Sequence, residues 1–376
     1  MKILIFNWQD IKNPLAGGAE VHMHEIFSRV VRMGHEVTLY CSSFQGAKHE
    51  ETIDGIKVIR EGGRYLFNFR VPYRYLTRFS REHYDVVIDD MNKIPFFTPL
   101  YVREPLYILI HHLFDKSIFR ETSLPFALYV YLTEKAGVAV CRNMGIPLMV
   151  VSESTKAEMK GKGFKDNEIE IVYNCVDHDR HKPDPSARSA TPLVGYFGRL
   201  KKYKSVEHLL EAFAAVRREQ PALKLVVIGE GDYRSTLQTV SGELGISDAV
   251  QFTGYVDENQ KVRLLQQVWF VVNTSSKEGW GLTVIESNAC GTAVLGSNVP
   301  GLRDAIRDGE TGLLYEYDNI SDLSVKMSLL LKDLPLRERL GKAAISWAGT
   351  FDWNRVAVYT LKLLERIIQE KNRAKS

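Results

Sequence analysis

Short, uninterrupted apolar runs punctuate the chain. In the first half they are Ile3 to Phe6, His35 to Tyr40, Asp85 to Asp90, Leu106 to His112, Leu148 to Ser152 and Ile169 to Asp177. In the second half they are Leu193 to Phe197, Leu223 to Asp232, Val250 to Val256 and Val268 to Asn273. Runs that do not alternate with polar residues predict strands buried on both faces, as in a parallel sheet. Helical spacing lies between them. Val21, Phe27, Val30 and Val31 give one apolar face that ends at Gly34, and Leu209, Leu210 and Phe213 give another. Strand and helix therefore alternate in both halves, which predicts an α/β protein with two doubly wound domains. The polar stretch from about 177 to 192, with Pro183, Pro185 and Pro192, reads as a linker.

Candidate chemistry gathers where predicted strands run out. After the strand ending at Asn273 comes Glu278-Gly279-Trp280-Gly281-Leu282, and a helix-like segment carries Glu286. Gly279 and Gly281 allow close approach of the backbone to a ligand. The first N–H groups of the helix favour an anion, and carboxylates accept from hydroxyls. Glutamates also start many ordinary helices. Gly17 and Gly18 open the helix after the first strand; no Gly-x-Gly-x-x-Gly accompanies them, so a dinucleotide is disfavoured and a phosphate or substrate is the alternative. Gly198-Arg199-Leu200 and Lys204 form a basic loop after another strand, suited to a diphosphate. Gly229-x-Gly231 closes the next. His111 and His112 end a strand on opposite faces, so only one enters a site. His22 and His24 read as ordinary helix residues, and Asp177-His178-Asp179 reads as structural.

Composition narrows the classes. The chain has 376 residues, 45% hydrophobic and 25% charged, with net charge +3, too little to argue for nucleic acid. Four scattered cysteines without a Cys-x-x-Cys fit reduced thiols and argue against a zinc ribbon. The opening apolar run is too short for a signal peptide, and no apolar run suits a spanning helix. Between Arg64 and His83, arginines interleave with aromatics. Arg70, Arg74 and Arg78 at four-residue spacing predict a basic helical stripe, broken by Pro72, that suits an anionic membrane or a phosphorylated lipid; a solvated face is the alternative.

Taken in order, these residues resemble glycosyltransferase family 4, retaining enzymes of the GT-B fold. The resemblance rests on Gly17-Gly18-Ala19-Glu20, His111, Asn174 to Asp177, Gly198-Arg199-Leu200 with Lys204, Gly229-x-Gly231, Gly254-Tyr255-Val256, Glu278-x7-Glu286, Cys290-Gly291-Thr292 and Asp308 to Gly312. Cys175 and Ser205 stand where the family usually has glycine, Thr274 where it has proline and Trp280 where it has phenylalanine. The last of these puts donor preference in doubt.

The resemblance implies two Rossmann-like domains facing across a cleft. Residues 1–176 plus about 354–376 would bind the acceptor, and about 190–353 the nucleotide-sugar donor. It implies catalytic roles for His111 (with His112 as fallback), Glu278, Arg199 and Lys204. Donor contacts would come from Gly17, Gly18, Gly198, Gly229, Tyr255, Val256, Gly279, Trp280, Gly281, Leu282 and Glu286. No metal and no cofactor is expected beyond the nucleoside diphosphate sugar. The acceptor would be a carbohydrate or lipid-linked, as in envelope polysaccharide or glycolipid assembly. The expected location is cytoplasmic, or peripheral on the inner face of the membrane. A nucleotide-sugar epimerase or hydrolase, or a non-catalytic partner subunit on the same fold, are the alternatives.

Overall fold

A computed structural model describes residues 1–63, 66–91 and 94–375; Arg64 and Tyr65 of the basic aromatic segment lie outside the described residues. The chain divides into two compact units, Met1–Asn174 with Trp353–Ser376, and Cys175–Asp352.

Unit 1 runs β1 (Lys2–Phe6), α1 (Gly18–Arg32), β2 (Glu36–Cys41), β3 (Glu50–Ile53), β4 (Ile56–Arg60), α2 (Phe67–Thr77), β5 (Val86–Asp90), β6 (Leu106–Ile110), α3 (Leu124–Asn143), β7 (Leu148–Val150), α4 (Glu153–Gly161) and β8 (Ile169–Ile171). The sheet order is β3-β4-β2-β1-β5-β6-β7-β8. All neighbours are parallel except the β3–β4 hairpin, which turns at Asp54-Gly55 and which the apolar pattern did not announce. Leu4, Phe6, Val87, Ile108 and Val150 are buried in one core, as expected for strands covered on both faces.

Unit 2 runs β9 (Leu193–Phe197), α5 (Val206–Arg217), β10 (Lys224–Ile228), α6 (Arg234–Glu243), β11 (Val250–Gly254), α7 (Glu258–Gln267), β12 (Phe270–Asn273), α8 (Leu282–Ala289), β13 (Val294–Ser297), α9 (Leu302–Ala305), β14 (Gly312–Tyr315), α10 (Ile320–Lys332) and α11 (Leu334–Ala348). Its six strands are parallel in the order β11-β10-β9-β12-β13-β14. The final helix, α12 (Trp353–Lys375), belongs to unit 1 and packs on α1.

Residues 177–192, expected as a linker, are part of unit 2. Arg188 Nη1 donates to Thr292 Oγ1 at 3.0 Å, and Gln266 Nε2 to the Lys182 carbonyl at 2.7 Å. Prolines made this stretch irregular without detaching it from the domain.

Among the parallel strands of each sheet, chain order reverses direction at one place. It does so between β1 and β5 in unit 1 and between β9 and β12 in unit 2. In open α/β sheets, ligands bind outside the carboxyl ends of the strands at this switch point.

Candidate functional site

In unit 2 the loops leaving β9 and β12 are laced together. Thr274 Oγ1 donates to the Lys204 carbonyl at 2.9 Å, and the Ser276 N–H to the Tyr203 carbonyl at 2.8 Å. This brings the Lys204 ammonium onto the Glu278 carboxylate, where Ser275 Oγ donates to the same oxygen, Oε1, at 2.8 Å. Burial works against the Lys204 charge, but Glu278 outweighs it and raises its pKa above the usual lysine value. The ammonium therefore stays protonated.

Glycines fit these loops together by their lack of a side chain. A Cβ at Gly229 would lie 2.0 Å from the Gly198 carbonyl oxygen. One at Gly301 would lie 2.3 Å from that of Glu278, and Gly301 also has φ +82. Gly229, expected as a donor contact, is thus the seat for the loop carrying Arg199, whose side chain is exposed. Gly301, which the sequence did not single out, seats the loop from Glu278 to Gly281.

Gly281 caps α8 in a left-handed conformation, φ +91, so the amides of Leu282 and Thr283 begin a helix without intrahelical partners. The Trp280 side chain is 3% exposed and meets Phe351 edge-on, ring centroids 5.0 Å apart. The indole anchors the loop in the core of unit 2, which leaves the backbone as the part of Trp280 that could meet a ligand. Ser205 has φ +47, a left-handed conformation that accounts for the glycine common at this position in the family.

One turn into α8, Glu286 is 6% exposed. Its Oε1 pairs with Lys261 Nζ at 2.6 Å, and its Oε2 is buried with no hydrogen-bond partner. Burial disfavours the Lys261 charge, yet Glu286 and Glu258 raise its pKa. His181 approaches Glu286 at 4.0 Å. His181, Glu258 and Glu286 are close enough to share a cation. Lys261 already reaches both carboxylates, at 2.6 and 3.6 Å, so this set does not fit a metal. Lys261 and His181 escaped the sequence reading because neither lies in a recognisable motif. At the end of β11, Tyr255 is 83% exposed and Val256 is half-buried.

Unit 1 has a second cluster at its own switch point. Asn7, just past β1, donates through Nδ2 to Asp90 Oδ2 at 3.1 Å. Asp90 also takes His111 Nε2 at 3.2 Å. His111 is buried; burial lowers its pKa, but Asp90 and then Glu20 outweigh this and raise it. Glu20 accepts the Gly17 N–H at 2.6 Å, and burial, then the charge of Asp90, raises its pKa. Gly17 and Gly18 begin α1 beside it, and a Cβ at Gly18 would meet nothing within 4 Å. His112 turns instead to Phe114, centroids 4.9 Å apart. His22, read as an ordinary helix residue, lies edge-on to His111 at 5.2 Å and bonds the Val172 carbonyl at 2.9 Å. Asp89 points the other way: it accepts from Thr98 Oγ1 at 2.6 Å, and burial pushes its pKa up to about 7.

The basic stripe is rearranged by its surroundings. Arg74 pairs with Glu61 at 2.5 Å, and Arg78 with Glu82 at 2.8 Å and Glu50 at 3.4 Å. Arg70 is exposed. Two of the three arginines expected to form a cationic band are therefore held by carboxylates of unit 1.

Two family models match consecutive parts of the chain. Glycosyltransferase Family 4 matches residues 16–180, and Glycosyl transferases group 1 matches residues 177–347. D-inositol 3-phosphate glycosyltransferase of Nocardia farcinica is 31% identical over 52% of this chain and 47% of its own length. The match thus spans about half of that relative. Among solved structures, sucrose-phosphate synthase from Thermosynechococcus elongatus superposes with a TM-score of 0.83 at 18% identity, over 98% of this chain and 99% of that one. HepE of Anabaena, solved in complex with UDP-glucose, gives 0.78 at 18% identity over 97% and 100%. These likenesses establish the GT-B fold, and the two family matches together run from residue 16 to residue 347. The chain belongs to the group 1 and family 4 glycosyltransferases.

Proposed function

We propose that this chain transfers a hexosyl group from a nucleoside diphosphate sugar to an acceptor hydroxyl, with retention at the anomeric carbon. The observation that carries this reading is the buried Glu286 oxygen without a hydrogen-bond partner, one turn into the helix that follows the loop of the Lys204–Glu278 pair. An acceptor-only oxygen fits ribose hydroxyls, and the cationic loop end fits a diphosphate.

As the anomeric C–O bond breaks, negative charge grows on the departing diphosphate. Lys204, Arg199 and the first amides of α8 stabilise that anion; such preorganised donors contribute a few kcal/mol each. Glu278 orients Lys204 and presents its carboxylate to the donor sugar. In unit 1, His111, held by Asp90, is a hydrogen-bond donor for a sugar hydroxyl. Substitution on one face of the sugar is favoured over a covalent intermediate. The cations supply the charge a metal would otherwise provide, so the reading needs no metal. The acceptor class is a lipid-linked or envelope saccharide.

The test is thermal unfolding with UDP, GDP, ADP and TDP, with and without EDTA. A nucleotide at about 100 times its Kd raises stability by roughly 2.7 kcal/mol. UDP is the first to try, given the ligand in the HepE complex. A shift with one nucleotide that EDTA leaves unchanged is the expected result. Incubation of the matching nucleotide sugar with and without added saccharide acceptors then separates transfer from hydrolysis or epimerisation. Release of free sugar or an epimer alone would overturn the transferase reading.

A further inference from the structure

Helix α2 buries Phe67, Val71 and Tyr75 in the core of unit 1. On its other side, Leu66, Phe69, Tyr73 and Leu76 are each more than half exposed. Their spacing of three, four and three residues places them on one helical face. A surface helix ordinarily turns polar residues outward; this one is apolar on both sides. Helix α3 repeats the pattern. Leu124, Leu128 and Leu132, at four-residue spacing, are exposed, with Phe126 and Tyr129 beside them. Its opposite face, with Ala127, Val130 and Val138, is buried in unit 1. Among the described residues, α3 is the helix long and apolar enough to cross a membrane, but that buried face ties it to the fold. Asn68 Nδ2 donates to Tyr129 Oη at 3.3 Å and links the two helices.

The outward charges carried by α2 and α3 themselves are cations, although Arg74 and Arg78 are paired with Glu61, Glu82 and Glu50 of neighbouring segments. From Leu66 to Arg81 the chain carries Arg70, Arg74, Arg78 and Arg81 and no acidic residue. In α3, Lys135 and Arg142 accompany a single acid, Glu134, which is buried and accepts the N–H groups of Phe114 and Asp115 at 2.7 and 2.8 Å. Exposed leucines and aromatics among cations match the interfacial layer of a bilayer with anionic headgroups. A second copy of the chain would set the same cations against one another across a two-fold axis, which disfavours self-association.

We propose that the exposed apolar stripes of α2 and α3 dock unit 1 onto an anionic lipid bilayer and insert into its interfacial layer. Apolar insertion leads and the arginines assist, because Arg74 and Arg78 already have carboxylate partners. The inference is independent of the transferase reading, since its readout is binding to lipid.

The experiment is vesicle flotation of the full chain with phosphatidylcholine alone and with added phosphatidylglycerol, at low and high salt. The wild type is expected to float with the anionic vesicles and to keep part of that binding at high salt. The variant carrying Phe69→Ser, Tyr73→Ser, Leu128→Ser and Leu132→Ser is expected to partition at least tenfold more weakly. Its thermal midpoint should stay close to wild type, because all four side chains are exposed. A second variant, Phe69→Ser with Leu132→Ser, covers the case in which the fourfold variant fails to fold, and it should bind more weakly than wild type. Flotation of the folded variants equal to wild type overturns the proposal. So does absence of wild-type binding, or light scattering showing a dimer that the same substitutions split.

Discussion

Lys261 holds one oxygen of the Glu286 carboxylate at 2.6 Å and leaves the other buried without a hydrogen-bond partner. The carboxylate is fixed at one end and available at the other, which is the geometry needed to accept from vicinal hydroxyls. A hydrogen bond to a charged group contributes about 1.5–3 kcal/mol. Glu286→Ala is therefore expected to weaken nucleotide binding about 10- to 100-fold, measured by calorimetry. Lys261→Met removes the partner that orients Glu286, and a smaller loss is expected. An unchanged Kd in a folded Glu286→Ala protein would sink the ribose role.

The Lys204–Glu278 pair makes a different prediction, because Lys204 is assigned to the departing diphosphate. Lys204→Ala is expected to lower kcat by about 10²- to 10³-fold, the range for loss of one oxyanion donor. It also leaves Glu278 with Ser275 but without its cation, so the thermal midpoint should fall. Unfolding and single-turnover kinetics on the same preparation separate the two effects. A folded variant with near-wild-type turnover contradicts the assignment.

Gly301 tests whether the loop from Glu278 to Gly281 must hold its position. Its added Cβ would fall 2.3 Å from the Glu278 carbonyl oxygen at a positive φ. Gly301→Ala has to displace that loop. Loss of the nucleotide-induced thermal shift, with a far-UV spectrum unchanged, is the expected outcome.

The strands beside both switch points, β1, β5, β9 and β12, were legible because parallel strands covered on both faces must be written as unbroken apolar runs; their order in the sheets was not. Gly17, Lys204 and Glu278 stood out as candidates because they occupy motif positions just past strands, and Glu286 because it follows Glu278 at a motif spacing. Lys261 did not: it comes from α7, a separate helix, and only the fold brings it to Glu286. The carboxylate partners of Arg74 and Arg78 were not legible for a related reason. Periodicity identifies a helix face, but Glu61 and Glu50 belong to other segments of unit 1. The burial of the Trp280 ring against Phe351 was not legible either, because Phe351 lies 71 positions further along the chain.

If Trp280 is an anchor, size matters more than polarity. Trp280→Phe keeps an aromatic ring against Phe351 and is expected to leave donor affinity within about threefold, at a cost of no more than about 1.5 kcal/mol in stability. Trp280→Ala empties a buried site and should cost about 3–5 kcal/mol by urea unfolding. A changed donor preference in Trp280→Phe, with stability unaltered, would restore the pocket role.

The two histidines packed edge-on in unit 1 predict opposite responses to pH. Burial, and then the neighbouring His111 charge, pushes the pKa of His22 down to about 3. Between that value and the unfolded pKa near 6.5, the unfolded state holds a proton on His22 that the folded state does not. Stability therefore rises with pH there, by roughly 1.4 kcal/mol per unit from this group. His111 behaves the other way. Its folded pKa is raised, chiefly by Asp90 acting against burial. Its contribution is complete below the unfolded pKa and is lost as pH rises through the folded value. Asp89, whose pKa burial pushes up to about 7, opposes His22 across this window, so the contribution of His22 is read from the difference between variant and wild type. His22→Gln, which keeps an amide able to bond the Val172 carbonyl, should flatten the acid limb and leave the alkaline limb in place. Urea unfolding at a series of pH values on both proteins checks this. An acid limb as steep in His22→Gln as in wild type would mean that groups of lowered pKa, such as the buried Asp10 carboxylate held against burial by Arg60, set the acid response.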